Sequence, residues 1–218
     1  MNSLELLARY KAGERDFRGC ELGHAELASA VLNWIDLEKA DLESADFRES
    51  SLVGAGLVCA DLENANLQGA NLMGADLRQA NLQGANLREA MLFRADLRGA
   101  FLGGADLSGA DLGQADGRSA ELAGAVLIGA SLHEARMSGA NFRRACLYRA
   151  QLHRADLSGT NLRSADLREA DLRHSYMNDV ILEDANLTGA DLEGSTLISI
   201  PQGEDGADGP AEPVCDIG

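Results

Sequence analysis

Residues 95–124 read ADLRGAFLGGADLSGADLGQADGRSAELAG. Alanine returns at 95, 100, 105, 110, 115 and 120, and leucine at 97, 102, 107, 112 and 122. The beat is five residues, and at 117, where it demands a leucine, the chain has Gly117. The register extends outward from here without a slip, from Phe17 to Leu197. Leu, Phe or Met fills 36 of those 37 positions, and Ala stands two residues before 29 of the 37. Small residues such as Cys20, Ser50 and Thr160 take several of the rest. Each repeat can be numbered one to five, with the small residue first and the large apolar residue third.

A period of five fits neither regular element. Ala, Leu, Arg and Glu favour helix. Five residues, however, leave successive leucines about 140° apart around a helix, so no apolar stripe forms. In a long strand side chains alternate with period two, so leucines five apart would face opposite sides. Positions one and three of a single repeat do share a face. The consistent solution is a short extended piece that points both inward, followed by a turn. Glycine at position five (Gly69, Gly84, Gly99, Gly109) suits that turn. The chain must coil into a solenoid with the apolar residues inside and each coil hydrogen-bonded to the next.

Composition narrows the function classes. The chain has 218 residues, 4% aromatic, with net charge −16. That acidity disfavours direct binding to nucleic acid or an anionic membrane and favours basic partners. Cys20, Cys59, Cys146 and Cys215 are widely spaced with no C-x-x-C, which predicts reduced thiols and a cytoplasmic setting. No secretory signal and no membrane-spanning apolar run is expected.

Runs such as ADLRGAFLGGADLSGADLGQ and ANLQGANLMGADLRQANLQGANLRE resemble the pentapeptide-repeat family, whose pattern is A(D/N)Lxx. The likeness covers residues 15–199, and the opening LARYKAGERDF is similar to openings of cyanobacterial members. The resemblance implies an all-β fold, a right-handed quadrilateral β-helix with four repeats per coil. Thirty-seven repeats then make about nine coils, and at ~4.8 Å per coil a rod of roughly 44 Å.

Three segments follow: 1–14, 15–200 and 201–218. In the first, Asn2 with Glu5 three residues on resembles a capping box, Leu4 and Leu7 share a helical face, and Gly13 can end the helix. A short helix over 2–12 is expected to lid the first coil. Residues 201–218, PQGEDGADGPAEPVCDIG, hold five acids and no base and are expected to be disordered, with Cys215 an exposed free thiol. The last coil then has an open edge, and Leu197 and Ile198 there are candidates for self-association, as an end-to-end homodimer.

With period twenty, equivalent positions stack in columns. One position-three column holds Gly117, with Met137 one coil above it. Met fills irregular gaps, so it is expected to occupy part of the space the missing leucine leaves, the remaining gap favouring Gly117→Leu. One position-four column reads Asn33, Val53, Met73, Phe93, Gly113, His133, His153, Arg173, Glu193. Val53, Met73 and Phe93, with Val31 and Met91 at position two and Trp34 at a corner, form an apolar strip on positions expected to face solvent. Such a strip marks a surface for a protein partner. A smaller strip, Val126, Ile128, Cys146 and Tyr148, lies on the neighbouring face. His133 and His153 stack, but beyond Glu134 no further ligand joins them and Arg154 and Arg173 oppose a cation, so no metal site is assigned.

No nucleophile–base–orienter set and no phosphate loop is visible, so no catalytic residue and no cofactor is assigned. The reading is a non-enzymatic scaffold that binds protein partners or itself. The family resemblance supplies an alternative, because some members mimic B-DNA, bind DNA gyrase and protect it from quinolones. Residues 16–117 hold 17 acids and 7 bases, which suits mimicry. Residues 136–173 hold 8 Arg and 4 acids, a basic band that interrupts it.

Overall fold

The computed structural model describes residues 1–197 and Cys215. It contains one α-helix, α1 (Ser3–Lys11), followed by a coil of parallel β-bridges. Each bridge joins residue n to residue n+20, from Asp16↔Asp36 to Asp171↔Asp191. Twenty residues are four repeats, so each repeat pairs with the one four places on. The bridges stay isolated because a five-residue unit leaves one paired residue between turns.

The hydrogen-bond scheme explains why the unit is five. The N–H of position three donates to the carbonyl of position two in the next coil, as in Leu97 N–H to Asp116 O at 2.7 Å. The N–H of position two donates back to position one of the previous coil, as in Asp116 N–H to Ala95 O at 2.9 Å. The turn closes with position one of the next repeat donating to position three, as in Ala100 N–H to Leu97 O at 2.9 Å. Position five carries the left-handed backbone conformation in every repeat from Gly19 to Gly194. Positive φ at that residue alone makes each corner a type II turn. Positions one and three are buried almost without exception, so the core is two ladders of Ala and Leu per wall. With four such walls around one axis the interior is filled, and position two faces out.

Helix α1 sits against the first repeats. Asn2 is its N-cap, the side-chain oxygen accepting from Glu5 N–H at 2.9 Å. Glu5 does not return the bond; it lies 3.6 Å from Arg9 instead. The helix ends in a Schellman arrangement, with Gly13 N–H bonded to Tyr10 O at 3.0 Å and Glu14 N–H to Arg9 O at 3.2 Å. The buried face differs from the one expected from Leu4 and Leu7. Leu6 is fully buried, Leu7 and Tyr10 pack beside it, and Leu4 is 80% exposed. Tyr10 fixes this rotation by donating to Asn33 O at 2.9 Å, which turns residues 6, 7 and 10 toward the coil.

At the other end Ala185, Leu187, Ala190, Leu192 and Leu197 are only partly buried. Ile198 and the rest of 198–214 and 216–218, including most of the segment expected to be disordered, lie outside the described residues. No helix among the described residues is long and apolar enough to cross a membrane.

Candidate functional site

The coil wall decides which side chains are offered to a partner. Within the expected apolar strip, Trp34 is 69% exposed, Val31 61%, Met91 40% and Met73 39%. Val53 and Phe93 are half-buried rather than solvent-facing. Glycines one coil on receive both aromatic rings of the strip. The Phe93 ring lies against Gly113 one coil on, where an added Cβ would sit 3.1 Å from Cδ2. The Trp34 ring likewise lies across Gly54, where any Cβ would meet its Cζ3 and Cε3. Both aromatics therefore lie flat along the wall. The apolar strip is continuous but low in relief. Phe101, Tyr176 and Ile181 are also exposed, at 43%, 54% and 44%, and the sequence reading passed them over. Each is at position two, where an apolar side chain among the usual Asp and Asn was the available signal.

The core irregularity resolves differently from expectation. Gly117 and Met137 both lie in the core, and Met137 is 1% exposed. A Cβ on Gly117 would collide with Met137 Sδ and come within 3.0 Å of its Cε. The methionine has entered the space left by the missing leucine, so a side chain at 117 fits only if the end of Met137 moves out.

Charged pairs line the outer walls. Asp at position two and Arg at position four of one repeat pair in a fork, as in Asp96 with Arg98 at 2.8 and 2.6 Å. Arg18 holds the Asp16 carboxyl down to about 2, chiefly through side-chain hydrogen bonds. Arg173 and Arg48 lower Asp171 and Asp46 in the same way. These pairs are exposed or half-exposed, so each adds little stability.

The histidines come together as expected. His133 and His153 stack with ring centroids 5.4 Å apart, and His174 meets His153 edge-on at 5.8 Å. Glu134 lies 3.6 Å from His133 and 3.5 Å from Arg154. A shallow open groove of about 540 Å³ lies nearby, lined by Glu134, Arg154, His174, Tyr176, Gly194 and Thr196. Arg154 at its rim disfavours a cation.

Cys215 corrects a further expectation. It is not a free thiol but is disulfide-bonded to Cys146, with Cα atoms 5.7 Å apart and a sequence separation of 69. Cys20 and Cys59 are free. Asp166 adjoins the pair, its carboxylate oxygen and both sulfurs lying within 4.8 Å of one another. The sulfurs are bonded to each other, and Asp166 is held by Arg168 at 2.8 and 2.7 Å, so the three do not form a ligand set. The signal in the sequence was positional. Cys20 is at inward-facing position one and Cys59 at the turn, while Cys146 alone is at outward-facing position two.

Comparisons with known proteins agree on the architecture. The pentapeptide-repeats family matches in overlapping blocks from residue 16 to residue 194. HetL, a pentapeptide repeat protein involved in heterocyst differentiation regulation from Nostoc sp. strain PCC 7120, is 37% identical. That alignment covers 89% of this chain and 92% of HetL, with a TM-score of 0.32. A trypsin-treated form of QnrB1, a plasmid-mediated fluoroquinolone resistance protein, is 20% identical over 83% of this chain and 89% of its own, with a TM-score of 0.52. Rfr23 from the cyanobacterium Cyanothece 51142 is 20% identical over 88% of this chain and 98% of its own, with a TM-score of 0.17. A search of curated proteins finds no match. With five-residue repeats, a twenty-residue bridge period and a family match over most of its length, this chain belongs to the pentapeptide-repeat family, whose members fold as right-handed quadrilateral β-helices and are generally non-catalytic.

Proposed function

We propose that the chain is a non-enzymatic scaffold: a rod of about nine coils over 15–200, lidded at its start by α1, that binds a protein partner in the cytoplasm. The observation that carries this reading is the exposure of Trp34, Val31, Met73 and Met91 along one wall. Exposed apolar side chains in one contiguous strip are the usual mark of a protein interface. The test is a pull-down from the native cell with wild type and a Trp34→Glu/Met73→Glu variant. The variant should lose the captured protein and keep its melting temperature. Equal capture by both would remove this wall from consideration.

Two further readings have their own observations. The partly buried Ala185, Leu187, Ala190, Leu192 and Leu197 favour an end-to-end homodimer through the last coils. Covering them would satisfy unpaired backbone as well as core side chains. Leu197→Asp with Ile198→Asp should then yield monomer in light scattering, and Met73→Asp with Phe93→Asp should not. The acidic stretch 16–117, with 17 acids against 7 bases, favours DNA mimicry toward gyrase. The likeness to QnrB1 extends to the fold alone. The basic band over 136–173 would repel a DNA-binding saddle. Purified protein is therefore expected to leave gyrase supercoiling unchanged, and inhibition would make mimicry the leading reading.

A further inference from the structure

Position two of each repeat faces outward, and its side chain is exposed or half-exposed along the coil. Among the described residues Cys146 and Asp166 are the two exceptions, each 3% exposed. They are neighbours in one column, joined by the Cys146–Asp166 bridge. Cys215 lies against both, bonded to one sulfur and within 4.8 Å of the other's carboxylate. The two buried members of that column are thus the two that Cys215 adjoins. Around it stand Tyr148, Arg149, Arg168 and Glu169. Arg149 and Arg168 lie 4.9 and 5.5 Å from the Tyr148 ring, and the Tyr148 hydroxyl lies 3.2 Å from Glu169.

We propose that Cys146–Cys215 is a thiol–disulfide exchange site, opened by a dithiol reductant and closed by an oxidant, and that its state decides whether the Cys146–Asp166 face is accessible. The two residues differ in exposure, Cys215 being half-exposed and Cys146 buried, which makes Cys215 the side from which a reductant approaches. An incoming thiolate therefore attacks Cys215 Sγ. The Sγ–Sγ bond breaks, and its electron pair leaves on Cys146 Sγ, which then takes a proton. The second thiol of the reductant displaces Cys215 from the mixed disulfide. Two electrons and two protons pass to the protein, and the dithiol ends as a disulfide. The Asp166 carboxylate beside Cys146 opposes the negative charge that develops on the leaving sulfur. Arg168 offsets part of that opposition through its fork onto Asp166 at 2.8 and 2.7 Å. Asp166 is thus a positioning residue that slows release. Resting on the cytoplasmic setting proposed above, a disulfide in that compartment is commonly of this exchanging kind.

The test uses the full chain. Protein purified without reductant, then denatured and alkylated, should gain two adducts, at Cys20 and Cys59, and its peptide map should show the Cys146 and Cys215 peptides joined. After dithiothreitol it should gain four adducts, with circular dichroism of the native state unchanged. Oxidised glutathione should restore the same pair. Native Cys215→Ser should expose Cys146 to alkylation. Asp166→Asn keeps the shape found at Asn66 and Asn86, and should be reduced several-fold faster than wild type. Four adducts before reduction and after glutathione treatment would overturn the proposal. So would reoxidation to other pairs or to crosslinked dimers, a Cys146 that stays protected in Cys215→Ser, or an Asp166→Asn rate equal to wild type.

Discussion

The two ends of the coil use the same repeat and bury it to different degrees. At the start Phe17, Leu22 and Leu27 are 3%, 2% and 1% exposed, with Leu6, Leu7 and Tyr10 of α1 packed on the same core. At the far end Leu187, Leu192 and Leu197 are only partly buried. A leucine in this fold owes its burial to the rungs above and below it as much as to its own wall. A repeat is stable in proportion to what stacks on it, which is the nearest-neighbour behaviour of solenoids.

The largest expected effect tests that contrast directly. Leu107, fully buried mid-coil, should tolerate Asp worst, losing several kcal/mol through an unpaired buried charge. The same change at Leu192 should cost a small fraction of that, because water already reaches the site. Equal losses in urea unfolding would show the far end to be as well covered as the middle. Next in size is Leu6→Ala. If α1 supplies the cover for the first rungs, the loss should be about 2–4 kcal/mol, as for other buried leucines. A loss near zero would mean that the rungs do without it.

Most of this fold was legible because five is an awkward number. Neither helix nor strand accepts leucines at 97, 102, 107 and 112, so a coil was the remaining solution. The number of repeats per coil was not legible from spacing. It is set by the angle of each turn, and only the bridge period of twenty displays it. The exposure of the apolar strip was legible only in part, for a related reason. Columns follow from the period, so Trp34, Met73 and Met91 were placed on an exposed wall. How far each side chain stands off the wall depends on its neighbour one coil on. Gly54 and Gly113 let Trp34 and Phe93 lie flat, a contact between residues twenty apart that no local pattern announces. Cys215 was misread because its partner is set by three-dimensional proximity across 69 residues.

Gly117 sharpens the comparison at intermediate size. With Met137 already in the space, Gly117→Leu should overpack the core and lose about 1–3 kcal/mol. Adding Met137→Leu should recover the loss, since both rungs would then carry the leucine found at 37, 57, 77, 97 and 157. A single variant more stable than wild type would mean that the methionine swings away at no cost.

The smallest effect concerns acid. Asp16, Asp46 and Asp171 titrate below their ordinary 3.8 in the folded chain, Asp16 at about 2, chiefly because arginine hydrogen bonds favour the carboxylates. Between those values the unfolded chain binds more protons than the folded one. Stability from these pairs is therefore complete above 3.8 and falls as pH drops toward about 2. Because the pairs are largely exposed, their protonation should lower the melting temperature only slightly, and less still at high salt. Arg18→Gln should return the Asp16 carboxyl toward 3.8 in an NMR titration. No movement of that resonance would remove the fork as the cause.

The twenty-residue bridge period also governs what the gene can gain or lose. A deletion of twenty in-register residues removes one full circuit, and every later residue meets a partner of the same type at the same azimuth. A deletion of five is equally silent to the core, since Ala and Leu still fall inward. It rotates everything downstream by a quarter turn. Trp34 would then head one wall and Met73 and Met91 another, and the strip would be cut without a single side chain being changed. Recombination between near-identical repeats thus has two outcomes: it lengthens or shortens the rod, or it reshuffles which residues share a side. Foldability is indifferent between them, and only binding can select one.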